Sequence, residues 1–465
     1  MVMYVLPPSK DILPDSHYAP PTTSPSSTRR SPPASPSVHS SPTSGRRDSV
    51  ALAAEPISST DDSAEDARSF VSDGSDRDER RSYLHALLTE NGIPISDESI
   101  DLAQLGKGAP LQTRVLAILT ELLPQTWSHV TNPDQIQLER VSGAMTNCIF
   151  FVSGPPAQDG AKPPKVLLRV YGSAADTFIK RDREMFWLCK MGHVGVAPRL
   201  LGAFANGRFE QYLDSTTLTK DDLRDPSTSR QIAQAMYKLH KLIQNCDAHE
   251  ASSPDLWIKL RKWHHLASKA VTEFKKNQPE RYAKLRKVVN IKTVAAEIDE
   301  LEAKLSNIGS PIVFAHNDAQ YGNILRKNKD GSIIVVDYEY SSVNYRGYDF
   351  GNHFCEWAAD YHSPNPHLMN FEKYPTQSEQ LSFFSAYLDA QIEAGDVPPP
   401  SPSTRASLLN QMYKETNKFA LCSHLLWGLW GIMQAGETNI DFDFVGYGLQ
   451  RFGQYYRVKE KYLGL

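Results

Sequence analysis

This 465-residue chain has no run approaching the roughly 18 consecutive apolar residues that a membrane-crossing helix needs, so no integral membrane association is expected. Cysteine is sparse. Cys148, Cys189, Cys246, Cys355 and Cys422 are odd in number and show no C-x-x-C or paired spacing, which argues against a zinc site or a disulfide framework and for free thiols in a reducing compartment. Basic charge is not in excess: 50 Lys and Arg against 54 Asp and Glu give a net charge of −4, so no nucleic-acid partner is expected. The start of the chain also lacks the charged-then-apolar layout of a secretory signal. These absences together predict a cytoplasmic protein.

What is present is unevenly distributed. Residues 7–60 are dominated by Ser, Pro, Thr and Ala, and residues 61–81 by charge. Neither stretch can bury enough apolar surface to offset its ordering entropy, so 1–81 is expected to be a disordered tail. In it, Arg29-Arg30-Ser31 and Arg46-Arg47-Asp48-Ser49 each place a Ser shortly after two Arg. A basic-directed kinase would phosphorylate such sites and reverse the local charge; an unmodified spacer is the alternative.

From Ser82 the pattern turns helical, and then strand-like over 135–141, 148–152 and 166–171. A helical stretch is expected over 174–191, then strands over 198–204 and 208–213 flanking the hairpin turn Asn206-Gly207. Thereafter 227–245, 257–275, 282–306, 377–394 and 408–434 carry helical periodicity, interrupted by strands at 311–314, 324–326 and 333–336. The expected fold class is α+β and bilobal. A small antiparallel β lobe with one helix spans 82–214, including leading helices and a hinge, and a large, mainly helical lobe spans 215–465.

The chemistry concentrates in the second lobe. Asp318 follows an apolar strand, Asn323 lies shortly after it, and Asp337 closes the next strand, Ile334-Val335-Val336. Phosphoryl transfer from a magnesium nucleotide asks for this ordered set: one carboxylate to orient the acceptor hydroxyl, then an amide oxygen and a second carboxylate for Mg2+. Turn or helix-cap roles are the competing reading for each carboxylate. Protein kinases share the order but follow the metal Asp with Phe-Gly, where this chain has Tyr338-Glu339.

Together with His316-Asn317-Asp318, the runs Tyr338-Glu339-Tyr340-Ser341-Ser342, Asn344-Tyr345-Arg346-Gly347-Tyr348-Asp349 and Gly351-Asn352-His353-Phe354-Cys355-Glu356-Trp357 resemble the choline/ethanolamine kinase signature. The resemblance covers about 135–460 and implies a protein-kinase-like fold, ATP as co-substrate and a homodimer. It implies a phosphate-covering loop at Gly143, Ala144, Met145, Thr146 and Asn147, where Ala144 replaces one of two usual glycines and a plain hairpin turn is the alternative. It places Arg169 on the phosphates, braced by Glu184, with Gln211 and Leu213 meeting the adenine edge and Gln320 contacting the nucleotide.

Quaternary ammonium carries no N–H donor, so aromatic faces and carboxylates must recognise it. Trp427 and Trp430 share a helical face and would, seen alone, be read as core. The resemblance makes them a choline cage with Tyr340, Tyr361 and Tyr447, and makes Glu356 the anionic partner. Trp257 and Trp263 are read as packing outside this set, His353 and His424 as structural, and Asp349 and Asn352 as braces of the catalytic loop. The implied activity is a choline kinase of the CDP-choline route to phosphatidylcholine. The alternatives are an ethanolamine or dual kinase, a small-sugar or antibiotic phosphotransferase, and an inactive kinase-like scaffold.

Overall fold

The computed structural model describes residues 2–5, 82, 84–106, 108–144, 147–156, 163–171, 181–245, 253–437 and 442–465. The two Arg-Arg-Ser-type motifs of the tail, Cys246, Met145 and Thr146 lie outside the described residues.

Side-chain alternation builds the first lobe. Strands β1 (Val2–Val5) and β2 (Ile95–Ser96) precede helix α1 (Ala109–Leu122). Then come β3 (Gln137–Ala144), β4 (Asn147–Ser153), β5 (Lys165–Tyr171), helix α2 (Arg181–His193), β6 (Leu200–Phe204) and β7 (Gly207–Gln211). They form one seven-stranded sheet in the order β1-β3-β4-β5-β7-β6-β2. Two edges depart from expectation. The strand β2 runs parallel to β6, and β1 pairs with β3 although it lies in the stretch expected to be structureless.

Successive residues of a strand face opposite sides of the sheet. On β5, Leu168 and Val170 pack with Val115 and Leu119 of α1 behind the sheet. Leu167 faces the other way and joins Ile149 and Phe151 against Leu325 and Val336 of the second lobe. Both faces are therefore covered, which explains why β5 reads Val-Leu-Leu-Arg-Val rather than alternating cleanly. Arg169 shares the parity of Leu167 and so faces the cleft.

A short strand β8 (Ser215–Thr217) leads into the second lobe. Helix α3 (Pro226–His240) starts where the Asp225 carboxylate accepts from Thr228 N at 2.8 Å and Pro226 occupies the first turn. Helices α4 (Leu256–Asn277) and α5 (Val294–Leu305) follow. The single helix expected over 282–306 is broken. A short helix ends at Leu285, and Asn290 leaves helical geometry to accept from Lys292 N at 3.3 Å, restarting the chain as α5.

Next come β9 (Ile312–Ala315), β10 (Ile324–Lys327), β11 (Ile333–Val335) and β12 (Ser342–Tyr345). The strand β9 pairs with β12, while β8, β10 and β11 form a separate three-stranded sheet. Helices α6 (Arg346–Glu356), α7 (Gln377–Glu393), α8 (Pro402–Glu437) and α9 (Phe444–Leu463) complete the lobe. Two glycines set how closely these helices approach. A Cβ on Gly351 would stand 2.8 Å from Thr416 O, and one on Gly448 would stand 2.9 Å from Gly428 O. Backbone therefore meets backbone where α6 and α9 cross α8, and the aromatic residues of α8 are brought against both.

Candidate active site

Between the lobes lies an open cleft. Phe151 and Leu167 form one apolar wall, Leu325 and Val336 the other, and Gln211 and Leu213 close the hinge end. An apolar-walled slot suits a planar base. This brings the expected hinge residues Gln211 and Leu213 to the slot's edge.

Next to the slot is a buried charge network. Arg169 Nη1 lies 3.1 Å from Asp337 Oδ1, and its Nε lies 3.3 Å from Glu210 Oε1. Arg208, directly opposite Arg169 in the β5–β7 register, bonds Glu210 at 2.7 Å and Glu184 at 2.6 Å. Two facing arginines would repel, and the intervening carboxylates reverse that. Burial alone would lower the affinity of Arg208 for its proton, but Glu184, Tyr171 and Glu210 hold it well above the ordinary value. Glu184 was expected to brace Arg169, and the structure gives it a hydrogen bond to Arg208. Sequence reasoning missed Arg208. Its signal was the alternation Arg208-Phe209-Glu210, which places a cation and an anion on one strand face.

The loop that carries Asp318 is held by Asp349. His316 N and Asn317 N donate to the two oxygens of Asp349 at 2.9 and 2.7 Å, and Asp349 also meets His240 Nε2 at 2.9 Å. Burial would raise the Asp349 pKa, but His240, His316 and the amide hydrogen bonds hold it below the usual carboxylate range. Asn317 and Asp337, at φ 66° and 71°, are the only non-glycine residues with positive φ among the described residues. Asn and Asp tolerate this left-handed geometry better than most residues. The Asn317 side chain donates to Tyr340 O and Ser342 Oγ and accepts from Asn344, so the turn is firmly fixed.

That turn presents Asp318. Asn323 Nδ2 donates to Asp318 Oδ2 at 3.0 Å, tying two of the sequence-singled residues together. Burial, with Glu356, Asp337 and Glu339 nearby, pushes the Asp318 carboxyl well above its ordinary pKa. Burial and Glu339 push Asp337 up to about 7 against the opposing pull of Arg169. Asn323 Oδ1 and Asp337 Oδ2 are buried without a hydrogen-bond partner. One neutral and one anionic oxygen, both unsatisfied, fit a hard divalent cation. Gln320 turns its Oε1 to Gly322 N at 2.7 Å and caps the turn carrying Asn323.

Across from the loop stand the aromatic residues. Ring centroids lie 5.3 Å apart for Tyr340 and Trp427, 5.5 Å for Trp427 and Trp430, and 6.0 Å for Trp430 and Tyr447, all near edge-to-face. Tyr361 OH donates to Glu356 Oε2 at 2.5 Å, so the cage residues and their anionic partner come together. Asn317, the neighbour of Asp318 in the chain, donates to Tyr340 O at 2.9 Å, which ties this aromatic group to the turn that carries Asp318.

A sequence profile described as choline/ethanolamine kinase matches residues 138–456. The chain belongs to that family. It is 36% identical to the probable choline kinase 2 of Arabidopsis thaliana, over 74% of this chain and 91% of the relative. It is 30% identical to the probable ethanolamine kinase of the same plant, over 74% of this chain and 85% of the relative. Among solved structures, a choline kinase from Cryptosporidium parvum superposes with a TM-score of 0.60 at 29% identity, covering 75% of this chain and 95% of that one. The bilobal, protein-kinase-like α+β fold agrees with these relatives.

Further residues of this family member sharpen the picture. Trp263 is core packing as expected, but its ring lies against the backs of cage members Tyr340 and Trp427, at 6.1 and 6.2 Å. His353 is structural: its Nδ1 meets Ala319 O at 2.7 Å, and burial lowers its pKa to about 4. Asn352 braces the loop through Asn317 O at 3.0 Å and also accepts from Trp427 Nε1 at 2.7 Å. Arg451 pairs with Glu356 at 3.3 Å and was not found from the sequence. Its position one helical turn after Tyr447 was the available signal. Of the expected phosphate-covering loop, Gly143 and Ala144 close β3 and Asn147 opens β4.

Proposed function

We propose that this protein phosphorylates choline with ATP to give phosphocholine, in the cytoplasm and at the head of the CDP-choline route to phosphatidylcholine. The observation that carries the reading is the buried aromatic cage beside the catalytic carboxylate. A phosphotransferase acting on sugars needs no such cage, whereas a trimethylammonium head can be held in few other ways.

In this reading Asp318 accepts or orients the proton of the choline hydroxyl. Asn323 and Asp337 would hold Mg2+, which neutralises charge on the transferring phosphoryl group. Arg169 clamps phosphate oxygens, with Glu184 and Glu210 fixing the buried cations around it. Gly143 and Ala144 at the end of β3 and Asn147 at the start of β4 would face the phosphates, and the apolar slot at Gln211 and Leu213 takes adenine. Tyr340, Trp427, Trp430 and Tyr447 offer ring faces to the ammonium, while Tyr361 orients Glu356.

A second reading, ethanolamine or dual kinase, draws on the 30% identity to a relative named a probable ethanolamine kinase. The test is ATP- and Mg2+-dependent phosphorylation of choline and ethanolamine, compared by kcat/KM, with Asp318→Ala as blank. A choline preference abolished in the variant supports the proposal. An ethanolamine preference moves the protein to the second reading, and turnover of neither rejects both.

A further inference from the structure

The anion of the cage is not alone. Glu356 is 2% exposed and Arg451 is fully buried beside it, with Nη1 3.3 Å from Glu356 Oε1. The other carboxylate oxygen accepts from Tyr361 OH at 2.5 Å. Arg451 is itself held: its Nη2 bonds Ser423 O at 3.1 Å and Ser423 Oγ at 2.7 Å. The Ser423 hydroxyl in turn donates to Asn352 Oδ1 at 2.8 Å, the same oxygen that receives Trp427 Nε1. One buried network thus runs from the catalytic loop through Asn352 and Ser423 to Arg451 and Glu356.

The consequence is electrostatic. A lone buried carboxylate would attract any ammonium and would bond most strongly to one with N–H donors. Here the carboxylate is neutralised by a guanidinium, and each oxygen already has a donor. What the site offers an incoming cation is then mostly ring face. A trimethylammonium head needs nothing more, while a primary ammonium brings three N–H donors to a carboxylate whose charge is already paired and whose two oxygens each already accept a hydrogen bond.

We propose that Arg451 is a positioning residue that sets acceptor specificity, holding Glu356 engaged so that the cage favours fully methylated ammonium over ammonium with N–H donors. This inference rests on the amino-alcohol kinase reading of the site. Its readout is the ratio of ethanolamine to choline kcat/KM in wild type, Arg451→Met, Arg451→Lys and Ser423→Ala.

In Arg451→Met the ratio rises by about tenfold, carried by KM for the amino alcohols while KM for ATP is unchanged, because the released carboxylate becomes available to N–H donors. Ser423→Ala loosens Arg451 without removing it and shifts the ratio the same way by less. Arg451→Lys restores most of the wild-type ratio. Equal losses on both substrates, or an unchanged ratio in Ser423→Ala and Arg451→Met, would mean that Arg451 only supports the fold and would overturn the inference. Wild-type protein that turns over neither alcohol would instead reject the functional reading beneath it.

Discussion

Around Arg169 the protein buries two arginines and three carboxylates joined by ion pairs, whereas around Trp427 it buries a run of edge-to-face rings and the Glu356–Arg451 pair. On the proposed function the two groups face opposite problems. Phosphate is densely charged and takes directional hydrogen bonds, so fixed cations suit it, and those cations need fixed anions to be buried at all. Trimethylammonium is diffuse, apolar on its surface and without donors, so ring faces suit it. Asp318 sits where the two regimes meet, and its raised pKa reflects both the burial and the carboxylates around it.

The comparison breaks most completely at that meeting point. Asp318→Asn should lower kcat by about a thousandfold or more while leaving both substrates bound. It should also stabilise the protein. Folding raises the Asp318 pKa, so above the ordinary carboxylate value the unfolded chain carries fewer protons at this group and stability falls as pH rises. Thermal unfolding should therefore show the variant more stable than wild type at neutral pH, with the gap closing towards about pH 4. A variant equally stable at all pH values would contradict the assigned burial cost.

On the nucleotide side, Arg208→Met takes a buried cation from Glu184 and leaves Glu210 only its longer pairing with Arg169, and should cost about 3 kcal/mol of stability. The same change should raise KM for ATP while KM for choline holds, in steady-state kinetics with each substrate varied in turn. On the acceptor side the pattern inverts: Trp427→Leu should raise KM for choline by about 30-fold, the loss of one desolvated cation–π contact, with ATP little affected. Equal effects on both substrates in either variant would erase the division. The smallest effect is expected at Asp337→Glu, which keeps the charge but displaces the oxygen. There the Mg2+ concentration for half-maximal rate should rise, with kcat recovering at saturating metal.

The parts of this arrangement that chemistry dictates locally were readable in the sequence. Asp318, Asn323 and Asp337 stand out because a loop and a strand end must carry them in that order. The hairpin at Asn206-Gly207 placed the strand that leads to the hinge, while the adenine role of Gln211 and Leu213 came from the resemblance. The cage was different: Trp427 and Trp430 on one helical face look like core, and only the resemblance of the signature set them apart. Arg208 and Arg451 stayed hidden because a single arginine gives no sign of whether water or a buried carboxylate surrounds it.

The segment containing β12 and α6 was recognised as a signature but not as strand and helix. Its polar, glycine-bearing sequence does not announce a fully buried segment, yet every residue from 334 to 359 is buried. Hydrogen bonds donated by Asn317, Asn344 and Asn352 and accepted by Asp349 supply there what an apolar pattern supplies elsewhere. The break at Asn290 was missed for a related reason: a side chain bonding its own backbone leaves no trace in hydrophobic spacing.

The most direct measurement of the central claim is a methylation series. Ethanolamine, its N-methyl and N,N-dimethyl derivatives and choline would each be assayed for kcat/KM at saturating ATP and Mg2+. If ring faces select the acceptor, kcat/KM rises with every methyl group and the rise is carried by KM. A flat series, or one that falls towards choline, would mean that hydrogen bonding to Glu356 governs recognition and would contradict the account.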